Sequence, residues 1–477
     1  MITKLARKFL TTTAIAGALT LGMGGASADA DTLADALVGA YSHSGLLDQN
    51  RALLRAADED VPIALANLRP IINWTGNITQ QLGESTSTSL FGGASTNAID
   101  TTTIFLDLAL QWQLYDFGAD RSRVEATKET VLATRASLLD VEQQVLLRAA
   151  TAFFNVGRSE SLVALSRNNL GLLQEELRAA SDRFEVGEVT RTDVSLAEAA
   201  VAQARSNLAG ARRDLIQAQA EYTNVVGREP GRLAGLPPLP RTETSVDAAQ
   251  AVAVRTHPDM EEARRQVSAN ELLVTAAYRD MLPVVTLNSN VRVTEEFGDP
   301  DSSETASIGL NVTGPVYQGG RLSALERRAI ASRDASRGNL HNVRHTVQQD
   351  VVTAISNFEA ARASLVASEQ QIRAARVAFQ GVREEATLGA RTTLDVLDAE
   401  QDLLDAETNR ISAQADQYIA AYQVLESMGL LTAQRLNLPV QIYDPAAYYN
   451  LVKNGPAKQS KQGKQLDRVL RALQVDD

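Results

Sequence analysis

The chain changes its hydrophobic period several times, and each change marks an element. Between residues 70 and 82, Ile72, Trp74 and Ile78 alternate with Asn73, Thr75, Asn77 and Thr79. Between 101 and 115, Ile104, Leu106, Leu108, Leu110, Trp112 and Leu114 alternate with Asp107, Ala109, Gln111 and Gln113. A period of two predicts strands that are apolar on one side and polar on the other. The pattern returns at 284–294, with Val285, Leu287, Val291 and Val293 against Thr286, Asn288, Asn290 and Arg292, and at 305–316, with Ile308, Leu310 and Val312 against Ser307, Gly309, Asn311 and Thr313. Past Gly118 and Gly320 the apolar positions advance by three or four: Leu138, Val141, Val145, Ala149, Ala152 and Val156 in one stretch, and Val347, Val351, Ala354, Phe358, Ala361 and Leu365 in the other. This predicts helices over 119–184 and 321–386, each returning after a glycine turn as a second helix, 192–226 and 393–428. At ~1.5 Å rise per residue the longer ones reach about 100 Å, far beyond a globular helix.

These elements occur twice. Tyr115 to Glu198 aligns without a gap onto Tyr317 to Glu400, so that Gly187, Asp193 and Glu198 fall on Gly389, Asp395 and Glu400. Internal duplication sets the architecture before any single motif does. The expected layout is a secretory signal at 1–28, a first repeat at 29–229, a linker at 230–241, a second repeat at 242–430 and a partly disordered tail at 431–477. The signal is read from basic Lys4, Arg7 and Lys8, an apolar middle, and the small residues Ala26-Ser27-Ala28. Each repeat opens with short helices before its first strand, and the linker's prolines and glycines preclude regular structure.

Strands of about 10 residues with one unbroken apolar face suit a barrel in lipid with water inside; a soluble hairpin packed on a core shows the same alternation. Four strands cannot close a barrel, and an open edge in lipid leaves backbone groups unpaired at several kcal/mol each. Copies of the chain must therefore pool strands: two copies give eight around a filled interior, three give twelve around a lumen that holds water. No stretch reaches the roughly 18 apolar residues of a spanning helix. The net charge of -12 argues against a phosphate-binding surface. With no cysteine, disulfides, thiol chemistry and acylation at cysteine are excluded.

The chain carries no nucleophile elbow and no phosphate-binding loop. Its four histidines offer only His341 and His345 at ligand-like spacing, with no carboxylate following in the manner of a zinc protease, so they are read as structural or solvated. No catalytic residue, metal or cofactor is expected. The two helix turns are more informative. Each has a glycine to leave the first helix and Thr-x-x-Asp to begin the second, Thr190 with Asp193 and Thr392 with Asp395, a capping pattern that explains those residues structurally. Arg391 and Asp398 escape it, since Val189 and Leu196 stand at their places in the first repeat. Asp395 and Asp398 share one helical face.

With its LYDFG and VYQGG corners, its glycine turns and the run from Asp395 to Glu400, the chain resembles the TolC family of outer-membrane efflux and secretion channels over nearly all of its mature length. The resemblance implies a mainly α protein with a membrane β part. It further implies a homotrimer whose 12-stranded barrel, four strands per protomer, would continue into a long α-helical coiled-coil barrel across the periplasm. It also implies an entrance ring at Asp395 and Asp398, and a gate latch from Arg391 to positions Thr192 and Asp193. The family's best-known member forms a second link through a tyrosine three residues before the turn glycine; Ala386 stands there in this chain. Six ring carboxylates on a narrow axis would draw protons and cations and disfavour anions. Gly187 and Gly389, at the tip nearest the inner membrane, are expected to meet a periplasmic adaptor protein, itself joined to an ABC or proton-driven inner-membrane transporter. The Tyr443 to Asn450 segment resembles the tails of members that serve type I secretion. The function implied is the exit duct of a tripartite export system, for protein secretion or multidrug efflux; a periplasmic coiled-coil spacer or stalk is the alternative.

Overall fold

The computed structural model describes residues 30–89, 92–243, 245–297 and 302–475. The signal expected at 1–28 lies outside them. Two short helices, α1 (Leu33–His43) and α2 (Gly45–Ala66), lead into the strands β1 (Ile71–Ser89) and β2 (Gly93–Tyr115). The helices α3 (Ala119–Glu185) and α4 (Arg191–Val226) follow. The second repeat gives α5 (Val246–Thr256), α6 (Pro258–Arg279), β3 (Val284–Phe297), β4 (Ser302–Thr313), α7 (Arg321–Thr387) and α8 (Thr393–Ser427), and the tail adds α9 (Pro445–Val452) and α10 (Lys461–Val475).

The strands form one antiparallel sheet in the order β1-β2-β3-β4. The register places Trp74 opposite Leu108, Leu108 opposite Val291, and Leu287 opposite Leu310, so the apolar residues of all four strands share one face. The other face carries Asp107 opposite Thr75 and Arg292, with Arg292 donating to Asp107 at 3.1 Å. The apolar face is bare: Trp74 is 75% exposed and Ile308 76%. A soluble hairpin or the cap of a stalk would bury that face. β1 and β4 each pair on one side only, leaving both edges of the sheet open within the chain.

The strands run further than their apolar alternation. β1 continues past residue 82 to Ser89 and β2 begins at Gly93 rather than 101, with Gly83 opposite Ile99 and the Thr86 and Thr96 hydroxyls 3.1 Å apart. Polar side chains hide the strand from a hydrophobic pattern, while the backbone ladder continues wherever both faces meet water.

At the strand-to-helix corners the chain must reverse within a few residues. Gly118 (φ 85°) and Gly320 (φ 79°) hold left-handed conformations that disfavour any side chain. Asp116 accepts from the N–H groups of Gly118 and Asp120, replacing bonds the first turn of α3 lacks. Arg279 of α6 donates to the Gly118 carbonyl at 2.9 Å and to the Ser122 hydroxyl at 2.7 Å, which ties the two repeats together beneath the sheet.

α3 and α7 are each 67 residues long, about 100 Å of helix. The core is a belt around their middle, where α1, α2, α5 and the ends of α4 and α8 surround Phe153, Phe154, Val156 and Val351. The Phe154 ring lies 5.0 Å from that of Tyr418 and 6.0 Å from that of Tyr422. The linker is anchored to this belt: Tyr418 donates to the Pro237 carbonyl, and Asp31 pairs with Arg228 and accepts from the Gly231 N–H.

Much of the tail expected at 431–477 packs on the belt. Leu431, Ala433 and Val452 are fully buried, the Ala433 N–H donates to Glu142 at 2.7 Å, and the Tyr448 hydroxyl donates to Glu59 at 2.7 Å. Its apolar residues complete the belt, covering α2 and α3.

Candidate functional site

The helix ends farthest from the sheet form the candidate site. Residues Phe184 to Thr190 turn the chain from α3 to α4, and Glu385 to Thr392 turn it from α7 to α8. Gly187 (φ 82°) and Gly389 (φ 77°) take the left-handed position, each with open space where a Cβ would stand. Their requirement is conformational, and both turns are left bare on the surface.

Each return helix starts with a complete capping box. Asp193 accepts from the Thr190 N–H at 2.9 Å and hydroxyl at 2.6 Å; Asp395 accepts from the same groups of Thr392 at 2.9 Å and 2.8 Å. Both carboxyls are therefore held below the ordinary carboxylate range. For Asp193 the Thr190 hydroxyl is the main cause, with the Thr190 N–H next and the Thr393 hydroxyl of the second repeat contributing. For Asp395 the Thr392 N–H leads, followed by the Thr392 hydroxyl, with Arg391 adding attraction. Asp398 is one turn further along α8 and exposed, so the two acids ascend one face of the helix.

Arg391 has a local partner. Its Nε donates to Glu385 Oε2 at 2.9 Å within the same turn, both side chains being about half exposed. The single chain does not bring Arg391 onto Thr192 or Asp193. Ala386 gives the turn no second side chain that could reach across.

A buried pair farther up the helices has no counterpart in the motif reading. Asn169 of α3 donates to Glu400 Oε1 of α8 at 2.9 Å, and both side chains are buried. Burial, the main cause, with the nearby Glu176 carboxylate, pushes the Glu400 carboxyl up to about 7. The only sequence signal was the repeat itself: its counterpart Glu198 is exposed, so equivalent glutamates occupy opposite environments. His341 and His345, by contrast, are exposed on α7 with Nε2 atoms 3.1 Å apart, away from the turns. No group of three potential metal ligands occurs among the described residues.

Comparison with known proteins fits this geometry. Residues 38–228 and 251–430, one span in each repeat, match the family described as "Outer membrane efflux protein". The chain is 35% identical to the outer membrane efflux protein BepC of Brucella suis biovar 1 (strain 1330) over 90% of its own length and 92% of BepC. It is 26% identical to the alkaline protease secretion protein AprF of Pseudomonas aeruginosa over 78% of this chain and 77% of AprF. The crystal structure of the outer membrane protein VceC from Vibrio cholerae superposes with a TM-score of 0.70 at 21% identity, covering 83% of this chain and 96% of VceC.

Proposed function

The chain belongs to the outer membrane efflux protein family, and from that premise we propose that three copies join into a closed duct whose narrow end is gated by the α7–α8 turn. The protein resides in the outer membrane and forms the exit duct of an export system. The observation that carries the trimer is the open sheet: β1 and β4 both expose an unpaired edge beside a bare apolar face, which lipid tolerates only if neighbouring copies pair with them. Three protomers close a twelve-stranded wall with room for water. Below it, α7 leaves Val352, Val366 and Val377 exposed along its length, a surface that a neighbouring copy would cover.

At the far end, three copies of Asp395 and Asp398 would ring the axis. Arg391, now held by Glu385, could exchange that partner for Thr192 and Asp193 of an adjoining copy and so hold the ring narrow. Turns at Gly187 and Gly389 would face a periplasmic adaptor joined to an inner-membrane transporter, for type I protein secretion or multidrug efflux.

Single-channel recording in planar bilayers tests the gate. Arg391→Ser should conduct more than the parent protein, and Asp395→Ala with Asp398→Ala should lose block by divalent cations applied from the periplasmic side. Unchanged conductance in the first variant removes the latch from Arg391, and persistent block in the second moves the cation site elsewhere.

A further inference from the structure

The helix pairs of the two repeats meet below the belt along a seam between α3 and α8. Across it, Leu173 of α3 packs with Val201 and Ala204 of α4 and with Leu397 of α8. Into this apolar contact the chain places one carboxylic acid. Glu400 is 3% exposed; its Oε1 is bonded by Asn169, and its Oε2 has no hydrogen-bond partner. A buried carboxylate oxygen left unbonded is costly, whereas a protonated carboxyl needs far less compensation. A pocket of about 60 Å³ adjoins the pair, walled by Gln203 and Asn207 of α4 and Gln401 of α8, large enough for a water or two. The charged groups that act on Glu400 are Glu176 of α3 and Arg383 of α7, and these two pair with each other at 3.2 Å, so Arg383 is largely engaged elsewhere.

We propose that Glu400 and Asn169 form a proton-dependent lock on the seam between the two helix pairs, closed when the Glu400 carboxyl carries a proton and released when it ionises. This rests on the proposed gate at the α7–α8 turn, whose opening we take to be an outward movement of the α7–α8 pair. Outward movement separates α8 from α3, exposes Glu400 to water and returns it to ordinary carboxylate behaviour. The closed seam therefore binds a proton that the open seam gives up. Its closed-state value is raised, from 4.5 to about 7. The extra stability of the closed seam is thus complete below about pH 4.5, falls by up to about tenfold per pH unit as pH rises towards 7, and is gone above that. Acidification of the surrounding compartment would shut the duct, through a group separate from the ring of Asp395 and Asp398.

Two measurements on the full-length protein in bilayers and detergent test the lock. Open probability should rise several-fold between pH 5 and 7 and level off above that. Glu400→Gln, a permanent mimic of the protonated acid, should stay at the low value throughout. Asn169→Ala, which removes the donor that favours the ionised form, should move the plateau to higher pH. Asp395→Ala with Asp398→Ala should keep the pH response. The chain has no native cysteine, so Leu173→Cys with Leu397→Cys reports closure of the seam by cross-linking, with no need for conduction. Relative to the same pair in a Glu400→Gln background, which corrects for thiol ionisation, cross-linking should fall several-fold from pH 5.5 to 7.5. An identical pH response of cross-linking with and without Glu400 overturns the lock. If Glu400-dependent cross-linking appears while conductance ignores it, the seam titrates but α7–α8 does not gate, and it is the gating premise that fails.

Discussion

Leu108→Arg is expected to keep the protein out of the outer membrane. Leu108 lies in the middle of β2 between Trp74 and Val291, on the shared apolar face, and is 51% exposed within the chain. An arginine facing lipid near the midplane costs about 2–4 kcal/mol, and a trimer takes that cost three times, about 6–12 kcal/mol per assembly. Ala109→Arg is the matched control, one residue along the same strand and opposite Asn73 and Asn290 on the polar face. It should assemble and alter conductance only. Heat-modifiable trimer in outer-membrane fractions is the readout. Equal assembly of the two variants would mean that the sheet does not face lipid.

Arg135→Ala should destabilise the belt by about 3 kcal/mol at neutral pH, in line with other buried pairs that lose one partner. Asp58 of α2 is fully buried, and Arg135 of α3 is its ionic partner, at 3.4 Å; the guanidinium also lies over the Tyr449 ring of α9 at 5.0 Å. Burial, outweighing the attraction of Arg135, raises the Asp58 carboxyl above its ordinary range. A raised carboxyl stabilises the fold most where it is protonated, and that contribution fades as pH rises out of the ordinary carboxylate range. The penalty of Arg135→Ala should therefore be larger at pH 8 than at pH 5, and Asp58→Asn added to it should recover much of the loss. Thermal unfolding of the detergent-solubilised protein at the two pH values measures this. A penalty independent of pH would show that the guanidinium stabilises by packing on Tyr449 alone.

Local patterns carried the frame of the molecule. A period of two places Trp74, Leu108, Val291 and Leu310 on one face because the pleat leaves no other option, and the change of period after Gly118 and Gly320 marks the helix starts. The capping boxes at Thr190 and Thr392 were also legible, since every partner lies within three residues. What stayed hidden depends on residues distant in the chain. Asn169 and Glu400 are 231 residues apart and Asp58 and Arg135 are 77 apart, so nothing local marks either acid as buried. The tail's packing depends on Glu59, Gln143 and Glu142 in the first repeat. Arg391 shows a local contact that the turn motifs do not mark: its partner Glu385 lies six residues before it, on the last turn of α7.

Native mass spectrometry of the protein extracted from outer membranes in detergent is the most direct test of the account. Three chains per particle are expected, resistant to dissociation until heated, because each chain brings four strands with both edges open. A folded single chain, stable in water without detergent, would contradict it.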